Sequence, residues 1–282
     1  MTTALPQHAT PGAELPARAA ASDDLLTVGA LGGLGFVLTD TLQQGLGHAL
    51  PALLTISPFG MLTAAGWSSA YDSRAIDAGG CLVNFMVAVL AAAALVSWKH
   101  GASRARFFLL LICAFNLLAG SGYLVFAGLT DFGDWYSLVE GHAAPNLFRG
   151  VLLGSGALLW IAALFVAGSL LGRQFGILRT ARRRAVRLMV CSWLVAVLVA
   201  VLAASVNRIG IRFVLLSDFP VTTLALSGLL FVPLCVHGRP ARDAAPTGPM
   251  DRSWAWIAVS AAFILAFVVV LGRGLTLHGN VQ

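Results

Sequence analysis

An aspartate, two glutamines and a histidine lie close together in the apolar stretch TDTLQQGLGHAL, residues 39–50. Asp40, Gln44 and His48 are spaced four residues apart, so a helix would place them on one face, with Gln43 about 100° away from it. Ionisable groups in apolar surroundings are unfavourable unless they find partners. The pattern therefore predicts either a metal or proton site or a set of hydrogen bonds between neighbouring helices.

A second set of candidate residues lies in and after a later apolar run, 107–130. Asn116 is near the middle of this run, and Asp131 and Asp134 follow its end. If the two segments are helices that run in the same direction, their later parts lie at the same end of the bundle. The two acids are then expected near His48. Imidazole and carboxylate groups can pair with one another or exchange protons, so this end of the bundle is a candidate site.

A third set of polar residues lies at the start of the apolar run 219–236. Arg208 and Arg212 are four residues apart, and Asp218 directly precedes the run. Helical spacing would place both arginines on one side, where they could pair with Asp218 or with the acids that follow the earlier run. We interpret this set as a structural ion pair.

The elements that must position these groups are predicted to be membrane helices. Of the 282 residues, 58% are hydrophobic and only 11% are charged, whereas a soluble domain usually carries about 25% charged residues. Because so few charged residues cannot cover a globular surface, lipid must cover part of the chain. The bilayer is therefore its expected partner. Barrel strands are not expected, because the apolar runs do not alternate with polar residues.

The apolar runs indicate about seven spans, since each is near the roughly 20 residues that cross a bilayer as a helix. Six runs without charged residues cover 78–98, 107–130, 150–172, 188–207, 219–236 and 253–272. A further apolar region covers 25–56 and is interrupted by Asp40. As one straight helix it would be about 48 Å long, so we expect it to tilt, to protrude, or to break between Gly45 and Pro51. The predicted fold class is all-α, a polytopic membrane helix bundle.

The charges of the loops predict how the bundle is oriented. Basic loops at 99–106, 173–187 and 239–252 are two spans apart and therefore share one side, and the loops between them are acidic or mixed. Because basic loops stay in the cytoplasm, the N-terminus is expected inside and the C-terminus outside the cell membrane. We attribute the arginines to topology and anionic lipid headgroups, and expect no nucleic-acid partner. One lysine against 17 arginines is typical of a bacterium with a GC-rich genome, hence an inner membrane.

Three segments resemble, in order, the core of the site-2 proteases, the zinc intramembrane metallopeptidases. QGLGHAL at 44–50 resembles their H-E-x-G-H-A helix, in which two histidines bind zinc and the glutamate is the general base. DAGGCLVNFMVAVL at 77–90 resembles the family's next helix, with small residues and an asparagine. FNLLAGSGYLVFAGLTDFGDW at 115–135 resembles its third core helix, which begins with an asparagine and later supplies an aspartate ligand.

The resemblance implies an organisation for the whole chain. A three-helix core is expected over 25–135, after a flexible tail over 1–24 that is rich in Ala, Pro and Thr. Further spans with basic cytoplasmic loops are expected over 136–282. The resemblance also implies zinc at His48 and Asp134.

The departures from the family pattern concern its catalytic residues. If His48 matches the second histidine, Gln44 replaces the first histidine and Gly45 replaces the glutamate. In a register shifted by one residue, Gln43 and Gln44 stand at the His-Glu positions. The family's proline and LDG signature are also absent, and a catalytic zinc needs three protein ligands. We expect neither a cofactor nor peptidase activity, with zinc as the alternative if another histidine, such as His142, completes the site.

Three functions remain open at this stage. The leading interpretation is a non-catalytic binding or scaffold protein that holds a partner transmembrane helix. The first alternative is a transporter of a small molecule, ion or proton that uses the face with Asp40, Gln44 and His48. The second is a metal-dependent membrane peptidase with an atypical site. A retinal protein is not expected, because the only lysine, Lys99, lies in a loop.

Overall fold

The computed structural model describes residues 22–71, 73–98, 103–141, 143–176, 179–208, 218–237 and 248–278. These residues form a bundle of helices with one small sheet. Six helical stretches are long and apolar enough to cross a membrane: Leu25–Thr55, Arg74–Ser97, Arg104–Thr130, Pro145–Phe175, Ala181–Ser205 and Trp254–Leu271. The predicted all-α class is confirmed, and the chain is a multi-pass membrane protein whose apolar helices contact lipid.

The bounds of the elements, in chain order, are as follows. They are α1 (Leu25–Leu42), a π-helical segment (Gln43–Ala49), α2 (Leu50–Thr55), β1 (Phe59–Thr63), β2 (Gly66–Ser68), α3 (Arg74–Ser97), α4 (Arg104–Thr130), α5 (Asp134–Val139), α6 (Pro145–Phe175), α7 (Arg179–Ser205), α8 (Asp218–Leu226), α9 (Gly228–Phe231), a 3₁₀ turn (Val232–Leu234), α10 (Trp254–Ala266), a π-helical turn (Phe267–Leu271) and β3 (Leu275–His278).

The long helices begin where a short side chain satisfies the first free backbone N–H groups. At the start of α1, the amide of Thr27 donates to Asp24 Oδ2 at 3.1 Å. At the start of α4, the amide of Arg106 donates to Ser103 Oγ at 3.2 Å. Pro145 is the first residue of α6, where the N–H that proline lacks would have no partner. The charge-free runs 107–130 and 150–172 lie inside α4 and α6.

The first span widens instead of breaking between Gly45 and Pro51. Its turns become π-helical from Gln43 to Ala49 and return to α-helix at Leu50. A π-segment closes its hydrogen bonds one residue later than an α-helix and often marks a functional site. Because the wider turns hold more residues each, His48 is rotated less far around the helix axis than α-helical spacing predicts.

The predicted span 219–236 is apolar and helical but short. Its long apolar helical part covers only Thr222–Leu234, which would be roughly 20 Å long against about 30 Å of hydrocarbon. Gly122, in the later half of α4, approaches Ala225, and Gly168, near the end of α6, approaches Cys235. The short helix therefore runs from the middle of the bundle toward the end at which α6 terminates, and no helix of the described residues covers the other half of α4 and α6 on this side.

Arginines from the three basic loops meet at one end of the bundle, hereafter the basic end. Arg184 donates to Asp23 at 2.6 Å and Arg252 to Asp24 at 3.0 Å, which fixes the start of α1 against the starts of α7 and α10. Arg104 Nε donates to the carbonyl oxygen of residue 251 at 3.0 Å. Loops two spans apart thus share one end of the bundle, as the charge pattern predicts.

A three-stranded sheet lies at the opposite end, hereafter the hairpin end. β1 pairs antiparallel with β2 in a hairpin and antiparallel with β3 on its other edge. The strand that follows the last span therefore joins the hairpin that follows the first. In addition, the amide of Ala64 donates to the carbonyl of Leu271 at 2.9 Å. The first and last spans begin together and end together.

The first span lies at the centre of the bundle. Its residues Val28 and Leu31 are fully buried, together with Phe107, Phe115 and Leu118 of α4. A methyl group on Gly32 would overlap the backbone of Ser192 in α7, so the glycines of this span allow two backbones to meet. Its polar residues therefore face other helices and not lipid.

Candidate functional site

His48 lies at a buried junction between three elements near the hairpin end. It is 5% exposed, and its Nδ1 atom lies 2.8 Å from the carbonyl oxygen of Ile76 in α3. A carbonyl can only accept, so Nδ1 carries a proton and donates it. The Nε2 atom lies 3.2 Å from Asp134 Oδ2 at the start of α5. A carboxylate also only accepts when ionised, so this contact is favourable when a proton or a cation lies between the two atoms.

Glycines in α3 and in the π-helical segment leave the space that the imidazole ring of His48 occupies. A methyl group on Gly80 would overlap the ring of His48, and one on Gly79 or Gly47 would overlap the facing backbone. The π-helical segment and α3 therefore cross in direct backbone contact. This contact brings His48 within reach of the Ile76 carbonyl, one turn before Gly80.

The turn between α4 and α5 directs Asp134 toward His48. Helix α4 ends at Asp131, which has a left-handed φ of 54°, and Gly133 follows with a φ of 90°. The chain reverses within these residues and starts α5 at Asp134, whose side chain is 28% exposed. Asp131 points elsewhere and pairs with Arg149 of α6 at 3.1 Å, both 39% exposed. The two acids expected near His48 therefore separate, and only Asp134 reaches it.

The His48–Asp134 contact has part of the chemistry of a metal site. Two ligand atoms about 2.0 Å from a tetrahedral zinc ion are about 3.3 Å apart, close to the observed distance. The carbonyl of Ile76 orients the ring as the outer partners of metal ligands do. Asp77 is within electrostatic reach of His48, and Cys81 within reach of Asp134. The described residues nevertheless contain no group of three metal-ligating side chains, and His142 lies outside them.

The two glutamines of the motif are engaged away from His48. Gln43 is buried, and its Oε1 atom accepts a hydrogen bond of 2.7 Å from Asn84 Nδ2 in α3. Gln44 is also buried, and its Oε1 atom lies beside Gly66 of the hairpin. Neither position therefore supplies a further ligand next to His48 and Asp134.

Asp40 lies in a separate cleft between the first span, α4 and α8. The cleft has a volume of about 330 Å³ measured to its open side, and Thr39, Tyr123 and Thr222 also line it. Asp40 itself is 7% exposed. Asn116 supports this wall, because its Nδ2 atom donates to Thr39 Oγ1 at 2.9 Å and to the carbonyl of residue 112 at 2.8 Å. Asp40, Gln44 and His48 thus have three different surroundings and do not form one site.

A larger apolar groove opens along the uncovered half of α4 and α6. Its volume is about 930 Å³ measured to its open side. Its lining residues, mostly small or aliphatic, are Gly122, Val125, Phe126, Leu129, Ala157, Trp160, Ile161, Leu224, Ala225 and Ser227. The indole N–H of Trp160 donates to the carbonyl of Ala225 at 3.1 Å and fixes one wall. Within the part of the chain that the structure describes, α8 and α9 cover only half the length of α4 and α6, and this leaves the groove open.

Several contacts of the site could not be assigned from residue types. The Ile76 carbonyl is a backbone group, so the residue type at position 76 does not predict its contact with His48. The sequence DAGG beside it does indicate a close helix crossing. Asn84 is part of the quoted segment 77–90, but nothing in that segment indicates that it pairs with Gln43. Arg212 and the side chain of Asp218 lie outside the described residues, as does any contact between them, and Arg208 is exposed.

Comparison of the chain with protein-family models, curated proteins and solved structures finds no match. The resemblance to site-2 proteases therefore depends on the three sequence segments alone. What the chain does must be argued from the side chains around His48, Asp40 and the apolar groove.

Proposed function

We propose that the chain is a non-catalytic binding protein of the membrane, built on a site-2 protease-like core that lacks peptidase activity. The observation that carries this proposal is that His48 meets Asp134, while Gln43 accepts from Asn84 and the Oε1 atom of Gln44 lies beside the hairpin. A glutamine amide is a poor zinc ligand and cannot act as a general base. The His48–Asp134 pair then serves to hold the first span, α3 and α5 together.

The apolar groove is the proposed binding surface, and its occupant is a partner transmembrane helix. Small residues such as Ala157, which is exposed on α6, allow another helix to approach closely. Aliphatic and aromatic side chains such as Phe126 and Ile161 provide the contact area. Lipid chains would fill the groove without a fixed position, whereas a helix with small residues of its own would pack against the groove at one defined position.

Metal analysis of the protein purified in detergent tests the loss of catalysis. We expect well below one zinc per chain in the wild type, and no difference from His48→Ala. Proteolysis of membrane substrates should be absent in both. One zinc per chain that disappears in His48→Ala and Asp134→Ala, with cleavage that depends on it, would favour the atypical metal-dependent peptidase instead.

Photocross-linking tests the groove. A photoreactive residue at Ile161 should capture a partner helix, whereas one at Leu158, which is 71% exposed on the same helix but outside the groove, should not. Ala157→Trp, which fills the groove, should abolish capture from Ile161. Equal capture from both positions would show that the groove is not the binding surface.

A second candidate function, transport of protons or cations, is favoured by the Asp40 cleft. An aspartate that is 7% exposed inside a spanning helix is typical of ion pathways. Proteoliposomes with a pH-sensitive dye test it: flux lost in Asp40→Asn and retained in Asp131→Asn supports transport. No flux above empty liposomes would exclude it.

The orientation is part of the same proposal. With the basic end in the cytoplasm of a bacterial inner membrane, the N-terminus lies inside and the C-terminus outside. Fusions of alkaline phosphatase and a fluorescent protein to each terminus test this. Phosphatase activity is expected from the C-terminal fusion only.

A further inference from the structure

A polar pocket at the basic end is separate from all the sites above. It measures about 610 Å³ to its open side and lies between the starts of α4 and α7, the end of α6 and the segment before α10. Its lining includes Arg104, Gln174, Phe175, Arg184 and Asp251.

Gln174 is the feature of this pocket that the fold does not explain. It is 3% exposed, yet neither its Nε2 nor its Oε1 atom has a hydrogen-bond partner among the described residues. Buried amides are nearly always bonded, and an exception commonly indicates a ligand or a functional role. Gln174 lies in the last turn of α6, and helix α6 ends one residue later.

Arg184 forms a rigid cationic wall of the pocket. Its guanidinium donates to both oxygens of Asp23, at 2.8 and 2.6 Å, and to the carbonyl of Gly248 at 2.9 Å. It also stacks on the ring of Phe175, 4.8 Å from the ring centre. A side chain held by so many contacts keeps its charge in one place.

Arg104 lines the pocket with a guanidinium group whose terminal NH₂ groups remain free to donate. Its Nε atom donates to the carbonyl of Asp251, but its terminal NH₂ groups have no acceptor among the described residues. It is the first residue of α4, and the first turn of that helix contains Arg106 and no acid. Cations are unfavourable at this end of a helix, whereas an anion there is stabilised by the helix dipole and free N–H groups.

The charges around the pocket favour an anion over a cation. Asp251 is the acid among its lining residues, and Asp23 nearby is already neutralised by Arg184. With Arg184 paired to Asp23, Arg104 balances Asp251. The excess positive charge comes from Arg106 and Arg173, which are near the lining residues Arg104 and Gln174 in sequence and close enough to each other to interact electrostatically.

We propose that this pocket binds a phosphate group, with Arg104 and the amide of Gln174 as its direct donors and Arg184 as a fixed positive wall. The guanidinium geometry suits a phosphate, and the Gln174 amide supplies one further donor. Arg104 begins one spanning helix and Gln174 nearly ends another, so the pocket lies at the level of phospholipid headgroups. The phosphate can therefore belong to an anionic phospholipid or to a small soluble ester.

Native mass spectrometry of the full-length protein in a zwitterionic detergent tests the site. The probes are phosphatidylglycerol, with phosphatidylcholine as the lipid control, and glycerol 3-phosphate and inorganic phosphate as soluble anions. The variants are Arg104→Gln and Gln174→Leu. The matched control is Arg182→Gln, which removes an equal charge from an exposed position in the same arginine-rich segment.

Binding of phosphatidylglycerol that weakens roughly tenfold or more in both variants, and less than about twofold in the control, supports a lipid headgroup site. The same pattern with a soluble phosphate and not with the lipid supports a free phosphate ester. Equal affinity in wild type and both variants, or no bound anion at all, overturns the proposal. Thermal unfolding without anion separates binding from folding, because Gln174→Leu removes an unpartnered amide and should leave the melting temperature unchanged or raised.

Discussion

His48 Nε2 lies 3.2 Å from Asp134 Oδ2, although one residue belongs to the first span and the other to the short helix after α4. The opposite ring nitrogen donates to the Ile76 carbonyl of α3. One side chain therefore connects three elements, and its contribution to stability should be measurable as coupling between positions that are remote in sequence.

A double-mutant cycle should detect this coupling. His48→Ala should lower the free energy of unfolding by about 2–4 kcal/mol, because it removes the pair and the hydrogen bond to the Ile76 carbonyl and opens a cavity. Asp134→Asn should lower the free energy of unfolding by about 1–2 kcal/mol. This is less than the loss expected for a fully buried ion-pair partner, because solvent reaches the Asp134 side chain. The double variant should lose less free energy of unfolding than the two single variants lose together, by about 1 kcal/mol or more. Chemical unfolding in detergent micelles provides all four values.

Asp131→Asn is the control for this cycle. The pair of Asp131 with Arg149 is 39% exposed on both sides, so its loss should cost only about 0–1 kcal/mol. Strict additivity of His48→Ala and Asp134→Asn would contradict the connection described above.

Gly80→Ala should disrupt the same junction without touching a polar atom. The added methyl would overlap the His48 ring, so α3 must move or the ring must leave Asp134. We expect a loss of about 1–3 kcal/mol, as for overpacked cores. Gly45→Ala is the control within the π-helical segment, because nothing lies within 4 Å of its added methyl. It should be neutral or stabilising by up to about 1 kcal/mol, and the opposite ranking in thermal unfolding would argue against the close crossing.

The sequence predicts the six spans that the described residues form and much of the junction, since these depend on local composition. Charge-free runs define the helices, and the alternation of loop charge predicts which ends meet, as Arg184 with Asp23 shows. Parallel direction of the first and third spans places His48 and Asp134 at one end of the bundle. Helix length and chain direction are sufficient to predict which ends of the spans meet.

The remaining features depend on geometry that residue types do not encode. The π-helical segment alters the register of the first span, so Asp40 faces α4 while His48 faces α3. The choice between Asp131 and Asp134 is decided by the left-handed turn at Asp131 and Gly133. The pairing of β3 with the hairpin joins the two ends of the chain, and no local pattern indicates it.

The hydrogen bond between Gln43 and Asn84 leads to a third prediction. Asn84 is fully buried and donates to Gln43 Oε1 at 2.7 Å. Asn84→Leu should cost about 1–3 kcal/mol, because it leaves the Gln43 amide buried without its partner. Combining it with Gln43→Leu should restore most of that loss, since two apolar side chains leave no polar group to satisfy. A double variant that is less stable than Asn84→Leu would show that Gln43 has a further role.

The start of α1 provides a prediction about pH. Asp24 accepts hydrogen bonds from Arg252, at 3.0 and 3.1 Å, and from Thr27. The bonds from Arg252, and next those from Thr27, hold the pKa of this carboxyl below its usual value. A carboxyl with a lowered pKa in the folded state stabilises it fully above its unfolded pKa of about 4, and this stabilisation disappears as the pH falls through the folded pKa.

Asp24→Asn isolates the contribution of this charge, because asparagine still caps a helix well. At pH 7 the variant should melt below the wild type, since Arg252 loses its ionised partner. The difference between the two melting temperatures should shrink as the pH is lowered below about 4 and vanish once Asp24 is protonated in both states. Arg252→Gln should show the same pH dependence, because it removes the other half of the pair. A difference that stays constant from pH 7 to pH 3 would mean that the charge of Asp24 does not hold the start of α1.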